Sequence, residues 1–372
     1  MGMKRSEAPR VLQLCHGYDG PFLDCARQYA ALFTGTPFQV TTIFLTGVPD
    51  ERVAAACASD EVLFFGYSSK DVAGLKLGAM RRLRKIIRGR DFRVCVAHRF
   101  KPTYIACMAT RLPVIGVNHA FGVYQRFSRR FFANFFRKRL LLLGVSNAVR
   151  DDIRISLPGW PAEQIETLYN RIDIKAVQAE LLPREEARAG LGLPSNAWVV
   201  GNAGRLHPDK DQATLIRGFA RALSQLPAES LLAIMGAGRL EVALKSLVFE
   251  LGVVDRVRFL GQVENGRRYF KAFDVFALTS DHEPFGMVLL EAMAAGVPVV
   301  GSDCGGAPEV IGDCGMAFSL SDEKQLAVCL LEMAGRGEEE LAAQRQRMQF
   351  RLVQMFSDAV IRAHFWDKRW ID

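Results

Sequence analysis

No two cysteines of this chain stand as a Cys-x-x-Cys pair, although it has eight of them (Cys15, Cys25, Cys57, Cys95, Cys107, Cys304, Cys314 and Cys329). That scatter excludes a zinc ribbon and a disulfide framework, and the cysteines read as reduced core residues of a cytosolic protein. Long apolar runs are missing too. The longest candidate, Leu140-Leu-Leu-Leu-Gly-Val145, has the length of a strand and falls far short of a membrane span. The charges in Met1-Gly-Met-Lys-Arg-Ser-Glu-Ala-Pro9 are followed by no apolar region, so no secretory signal is read there and the expected location is the cytoplasm. Neither zinc-finger spacing nor an RNA-recognition motif occurs, and no nucleic-acid partner is expected.

What the chain does have is the length and apolar content for two domains, at 372 residues and 49% hydrophobic. Its net charge of +8 is unevenly spread: residues 1–172 hold 26 Lys and Arg against 13 Asp and Glu, the remainder 22 against 27. With nucleic acid lacking a motif, a basic first half points to an anionic membrane or a phosphorylated glycan. That half alternates apolar strands, over 11–15, 38–45, 62–65, 94–98, 114–118, 141–145 and 164–169, with helical segments near 22–33, 72–88, 103–110 and 148–157. Such alternation argues for a parallel sheet covered on both faces. Ligands of such sheets gather at the carboxyl ends of strands, which singles out His16, Gly17, Asp19, Gly20, His98, His119 and Ser146.

Between Tyr124 and Leu140, five phenylalanines (Phe127, Phe131, Phe132, Phe135, Phe136) recur at helical spacing among six cations (Arg126, Arg129, Arg130, Arg137, Lys138, Arg139). A basic aromatic helix of this kind can lie in the headgroup region of an anionic membrane, and a second cluster over 80–90 adds to it. The alternative is that the rings pack on the sheet and the cations are solvated. Partial membrane contact is the expectation.

The second half is organised around Glu283-Pro-Phe-Gly-Met-Val-Leu-Leu-Glu291. The run over 274–279 reads as a strand before it. Residues 287–295, rich in Leu, Met and Ala, read as a helix after it, with Pro284 in the first turn and Gly296 as the stop. The amides of Gly286, Met287 and Val288 at the helix start suit a phosphate, and Glu283 and Glu291 read as acceptors for sugar and ribose hydroxyls. Gly305 and Gly306, after the next strand, mark a close approach of backbone. Upstream, a strand ends in Gly204-Arg205, and Lys210 precedes a helix over 212–226 capped by Asp209 or Asp211. A guanidinium and an ammonium aimed into one cleft suit a diphosphate.

These residues resemble the donor-site signature of the retaining family-4 glycosyltransferases. Two glutamates separated by seven residues match Glu283 and Glu291, the glycine pair matches Gly305 and Gly306, and Arg205 and Lys210 fall where that family carries its pyrophosphate-binding cations. The resemblance implies an α/β chain of the GT-B fold, two Rossmann-like domains facing each other across a cleft. The acceptor-side domain would span 1–172 and the nucleotide-sugar domain 173–352, with a last helix over 353–372 crossing back to the first. It implies transfer of a sugar from a nucleotide-diphosphate donor, a UDP-sugar favoured, to a glycan or glycolipid hydroxyl with retained configuration.

By the same resemblance Glu283 touches the donor sugar, Glu291 the ribose, and Gly261 and Val263 frame the base. Phe285 belongs to the same donor stretch, and His119 contacts the donor sugar and helps stabilise the reacting centre. Catalysis is expected from His119, Glu283, Arg205 and Lys210 together with the amides at 286–288. His98 resembles a second recurrent histidine of the family. Gly17, Asp19 and Gly20 stand where it often carries a plain glycine pair, and with His98 they are read as acceptor-side. Asp209-Lys-Asp211 spells Asp-x-Asp but is read as a helix cap. No metal and no resident cofactor are expected, the nucleotide sugar being a co-substrate. Tyr169-Asn-Arg-Ile-Asp173 resembles the family's hinge with Arg171 in place of a glycine. The expected acceptor is a lipopolysaccharide-core glycolipid, met by an enzyme peripheral to the inner face of the membrane. Two rival readings are a nucleotide-sugar 2-epimerase of the same fold and a non-catalytic protein that binds an anionic membrane.

Overall fold

A computed structural model describes residues 8–20, 22–368 and 370–371. The chain divides into two compact units, one of residues 1–170 with 362–372, the other of residues 171–361. Strands of the first are β1 (Arg10–Cys15), β2 (Gln39–Thr46), β3 (Glu61–Tyr67), β4 (Phe92–His98), β5 (Val114–Asn118), β6 (Leu140–Gly144) and β7 (Ile165–Thr167). They form one sheet in the order β3-β2-β1-β4-β5-β6-β7, and every pairing is parallel. The second unit holds β8 (Val199–Ala203), β9 (Leu231–Met235), β10 (Val257–Gly261), β11 (Val275–Leu278), β12 (Val299–Ser302) and β13 (Met316–Phe318). Its sheet runs β10-β9-β8-β11-β12-β13, again with parallel pairing throughout.

Central strands are apolar on both faces because helices cover both faces. Val11, Leu12 and Leu14 of β1 and Val275, Phe276 and Ala277 of β11 are all fully buried. In the second unit the helix Gln212–Ala222 lays Leu215, Ile216 and Phe219, all fully buried, into the core, at about 1.5–3 kcal/mol per side chain. Asp211 caps it: its carboxylate accepts from Thr214 N at 3.3 Å and Thr214 Oγ1 at 2.7 Å. Asp209 is not the cap; its carboxylate faces His207 and Arg205.

Three details differ from the sequence expectation. Pro284 lies ahead of the helix instead of in its first turn: that helix is Met287–Ala294, and Gly286 at φ 101° is its N-cap. Arg171, at the position where a hinge glycine was expected, adopts no left-handed conformation. It is buried at 5% side-chain exposure and pairs with Asp358 at 2.9 Å. Phe356 packs inside the second unit, edge-on to Phe285. The last helix, Asp358–Asp367, begins in the second unit and ends in the first. There Phe365 lies 5.6 Å from Phe33, Trp366 stacks on Phe38 at 6.2 Å, and its indole N–H donates to Leu32 O at 3.0 Å.

All eight cysteines are free, six of them buried. Burial pushes the Cys25 and Cys107 thiols up to about 12, which leaves them protonated and unreactive.

Candidate active site

In the second sheet the strand order reverses between β8 and β11, and both carboxyl ends open where open α/β sheets take their ligands. Gly204 and Arg205 follow β8; Thr279 to Glu283 follow β11. The turn 207–211 is held against the end of β11 by two bonds. Thr279 Oγ1 donates to Lys210 O at 2.9 Å, and Asp281 N donates to Asp209 O at 3.1 Å. Lys210 Nζ thereby reaches Glu283 Oε2 at 2.8 Å, and Ser280 Oγ donates to the same oxygen at 3.2 Å. Glu283 is only 8% exposed, so its charge is both paired and hydrogen-bonded. Two residues expected to grip different parts of a donor are thus bonded to each other, 73 positions apart.

Arg205 is the opposite case, with 72% of its side chain exposed and Nη2 3.4 Å from Asp209 Oδ2. It lines a cavity of about 540 Å³ together with Gly204, Gly236, Val263, Arg267 and Glu291. Arg205, Val263 and Glu291 are therefore brought to one cavity. Gly261 is not among its lining residues; it directly precedes Gln262, which is, holds a left-handed φ of 66° and accepts from Gly236 N at 2.7 Å. Beyond β12, Gly306 N donates to Glu283 O at 2.8 Å, and a Cβ on Gly306 would stand 2.6 Å from Pro284 O. That contact is the close backbone approach expected of the glycine pair. Phe285 is buried in the core, 5.8 Å from the Phe356 ring, so its side chain does not line the cavity. Met287 and Val288 open the helix half-buried. Of the Asp-x-Asp pair, Asp209 is engaged by His207 and Arg205, while Asp211 holds Thr214 and Ser321.

Sequence reasoning did not single out Ser280, Arg267 or Phe270. Ser280 stands just past the end of β11, where the carboxyl-end rule could have found it. Arg267 and Phe270 lie on the helical turn Gly266–Ala272, which no distinctive spacing marks.

The first sheet reverses its order between β1 and β4. His16 follows β1, His98 ends β4 and His119 follows β5. The β4–β5 register sets His98 opposite Val117, so His98 Nδ1 and His119 Nε2 meet at 3.2 Å with rings stacked 22° apart. Burial, with the nearby Arg99 guanidinium adding to it, holds His119 down to about 4. Burial, then His119 and Arg99, pushes His98 well below the usual histidine range. Both rings are neutral at pH 7, one donating to the other. His16 and His119 line a cavity of about 270 Å³ with Arg99, Lys101 and Arg129, and His98 lies behind His119. Gly17 is buried against Thr46, whose Oγ1 a Cβ would meet at 2.7 Å; Asp19 and Gly20 are exposed, and none of the three lines the cavity. Ser146 is fully buried and caps the helix Asn147–Ser156 through Val149 N at 3.1 Å.

The depressed histidine makes stability depend on pH. An unfolded chain takes up a proton at His119 near 6.5, the folded one only near 4. Between those values the unfolded state binds more protons, so stability falls as acid is added, by about 1.4 kcal/mol per pH unit and about 3 kcal/mol in all. Above 6.5 neither state is protonated there and the slope vanishes. Urea unfolding followed by tryptophan fluorescence between pH 7 and 4 should show a shallower fall in His119→Asn than in the wild type. Equal slopes would mean that the ring titrates as a solvated histidine.

Known proteins match both halves of the chain and share its fold. The family described as Glycosyltransferase Family 4 matches residues 37–176, and Glycosyl transferases group 1 matches residues 183–328. A lipopolysaccharide core biosynthesis glycosyltransferase of Rhizobium meliloti is 39% identical over 147 residues, 40% of this chain and 40% of that protein. A D-inositol 3-phosphate glycosyltransferase of Rhodococcus opacus is 37% identical over 150 residues, 37% of this chain and 34% of that protein. The chain thus spans less than half the length of these curated relatives. Among solved structures, Anabaena HepE in complex with UDP superposes with a TM-score of 0.78 over 96% of this chain and 98% of the other, at 22% identity. With two doubly wound parallel sheets and the two family matches in succession, the chain belongs to the two-domain GT-B glycosyltransferases of the family-4 type.

Proposed function

We propose that this protein transfers a sugar from a nucleoside-diphosphate donor, a UDP-sugar favoured, to a hydroxyl of a glycan or glycolipid, with retained anomeric configuration. One observation carries the reading: Arg205, just past β8, and Glu291, on the helix Met287–Ala294, line one cavity of about 540 Å³, and the Lys210–Glu283 pair joins the loops that follow β8 and β11. In the proposed reaction the bond between the sugar's anomeric carbon and the diphosphate oxygen breaks. The acceptor oxygen bonds to that carbon, and its proton ends on the departing nucleoside diphosphate. Charge growing on the diphosphate meets Arg205, Lys210 and the amides at 286–288, fixed dipoles and cations that need no reorganisation. Glu283 and Glu291 accept from sugar and ribose hydroxyls, and the neutral His119 contacts the donor sugar and helps stabilise the reacting centre. The donor is a co-substrate, and no metal or resident cofactor enters the scheme; the carboxylates of Asp209 and Asp211 are already engaged by neighbours.

A lipopolysaccharide-core acceptor is the preferred identity, supported by the Rhizobium meliloti relative. Work at an anionic membrane face is supported by the helix Phe127–Phe136. Its Phe127, Phe131 and Phe135 are 75%, 64% and 73% exposed, one stripe at a spacing of four. Exposed Arg126, Arg130 and Lys138 accompany the stripe, each contributing about 1 kcal/mol near an anionic surface. Phe132 turns inward onto Phe100 and Tyr104. No helix among the described residues is long and apolar enough to cross a membrane.

A melting panel with UDP-, GDP- and ADP-sugars tests the donor. A ligand at a hundred times its Kd stabilises the folded state by about 2.7 kcal/mol. The UDP-sugar should give the largest shift, and product analysis should find sugar on an acceptor. No shift with any of the three, or release of an epimer from donor alone, overturns the reading. In the same preparation, flotation with phosphatidylglycerol vesicles should be lost on changing Phe127, Phe131 and Phe135 to serine.

A further inference from the structure

The cavity of about 270 Å³ in the first unit has a wall of one sign. Arg99, Lys101 and Arg129 line it with His16 and His119, and no carboxylate is among its lining residues. These cations are not spent on carboxylates elsewhere: among the described residues, none of the three forms an ion pair within 4 Å. Arg129 is steered by neutral groups, Nη1 donating to Val123 O at 3.0 Å and the guanidinium lying 4.6 Å over the Phe100 ring. Arg99 lies 3.7 Å over the Phe22 ring. It also holds a left-handed φ of 74°, a conformation that strains a non-glycine residue, and directly precedes the helix Phe100–Ala109.

Two more groups complete the setting. His16 keeps a buried Nδ1 with no hydrogen-bond partner, and burial lowers the pKa of both His16 and His119, so the two rings line the cavity without adding charge. The amino end of the helix Phe100–Ala109 has no side-chain cap, and its first residues line the same cavity. Three unneutralised cations converging on a concave wall repel one another in the absence of a counter-charge. A doubly charged group seated there would be met by charge-assisted hydrogen bonds from two guanidiniums and an ammonium.

We propose that this pocket binds a phosphoryl group carried by the acceptor, so that the enzyme selects phosphorylated over neutral acceptors. The proposal rests on the reading of the first unit as the acceptor side. The chemistry recognised is a phosphate ester, which a phosphorylated sugar and a phospholipid headgroup both carry.

Isothermal titration of the full chain with glucose 6-phosphate, glucose and monomeric dihexanoyl-phosphatidylglycerol tests it, with UDP titrated into every sample. Glucose 6-phosphate should bind at least ten-fold tighter than glucose, and the preference should shrink on raising the salt concentration. Lys101 is exposed, so Lys101→Glu should fold normally; it should weaken the phosphate ligand at least ten-fold and leave UDP affinity within two-fold. Arg129→Gln should act in the same direction, and its melting temperature reports whether loss of the Phe100 contact has disturbed the fold. Tighter Lys101-dependent binding of the short-chain lipid than of glucose 6-phosphate would assign the phosphoryl group to a headgroup. Equal affinity for glucose and glucose 6-phosphate with no lipid binding, or phosphate binding indifferent to Lys101→Glu, overturns the proposal. Loss of UDP binding in the wild type would strike at the donor reading and leave this pocket's result standing.

Discussion

Lys210→Ala is expected to lower turnover about 10²–10³-fold, the usual effect of deleting one pre-placed group that meets developing charge. The turnover loss should exceed any rise in acceptor KM, since in the proposed reaction the ammonium acts on the leaving group. It should also destabilise the second unit. Among the described residues, Glu283 would keep only the Ser280 hydroxyl, at 3.2 Å, while remaining 8% exposed. Breaking a buried pair costs about 3–5 kcal/mol because the surviving charge stays desolvated. The Lys210 side chain keeps 21% exposure, which admits water and places the cost near the lower end, about 3 kcal/mol. In a unit of this size that corresponds to roughly 10 °C in melting temperature. The two effects separate in Lys210→Ala/Glu283→Gln, where neutralising the carboxylate removes the stranded charge. Melting temperature should largely recover and turnover should not. If turnover returned with stability, the pair would be a structural ion pair and Lys210 would play no part at the diphosphate.

The strand, loop and helix of the second unit were legible in the sequence because their signals are local. An apolar run, a glycine at the turn and a stretch of Leu, Met and Ala define strand, loop and helix wherever they occur. The exact helix start was not legible: Pro284 fits a first turn, but Gly286 at φ 101° interrupts the backbone and delays the helix to Met287. The strand Met316–Phe318 and the helix Glu51–Ala56 are too short to show a period. Contacts between distant segments were the least visible. His98 and His119 were each flagged by lying at strand ends, yet their meeting depends on the register that sets His98 opposite Val117. Five phenylalanines in one helix look alike in sequence. Phe132 is the one turned inward because Phe100 and Tyr104, from another helix, lie 5.4 Å and 5.2 Å from it. The cationic cavity was hidden for the same reason, since Arg99 and Lys101 come from one element and Arg129 from another.

Gly236→Ala should cost the second unit at least about 3 kcal/mol and abolish nucleotide binding, through backbone alone. A Cβ at this position would stand 1.9 Å from Gly204 O and 2.8 Å from Gly204 C, and the residue's φ is +138°. Because the obstructing atoms belong to the main chain, no side-chain rotation relieves the clash; the loops after β8 and β9 must part. Parting them strains two hydrogen bonds, Gly204 N to Met235 O at 2.9 Å and Gly236 N to Gly261 O at 2.7 Å, each contributing about 1 kcal/mol. Backbone strain adds about 1–3 kcal/mol. Gly204 and Gly236 also line the cavity with Arg205 and Glu291, so the displacement reaches the groups proposed to hold the donor. Gly252→Ala is the control. That glycine is also left-handed, at φ +66°, but no atom lies within 4 Å of its Cβ position. Its cost should be the conformational penalty alone, about 1 kcal/mol, with UDP affinity unchanged. Urea midpoints and UDP titration of the two variants decide the matter. Similar midpoint shifts in both would mean that the approach of β8 and β9 loops contributes nothing, and that Gly236 is tolerated for its dihedral angles only.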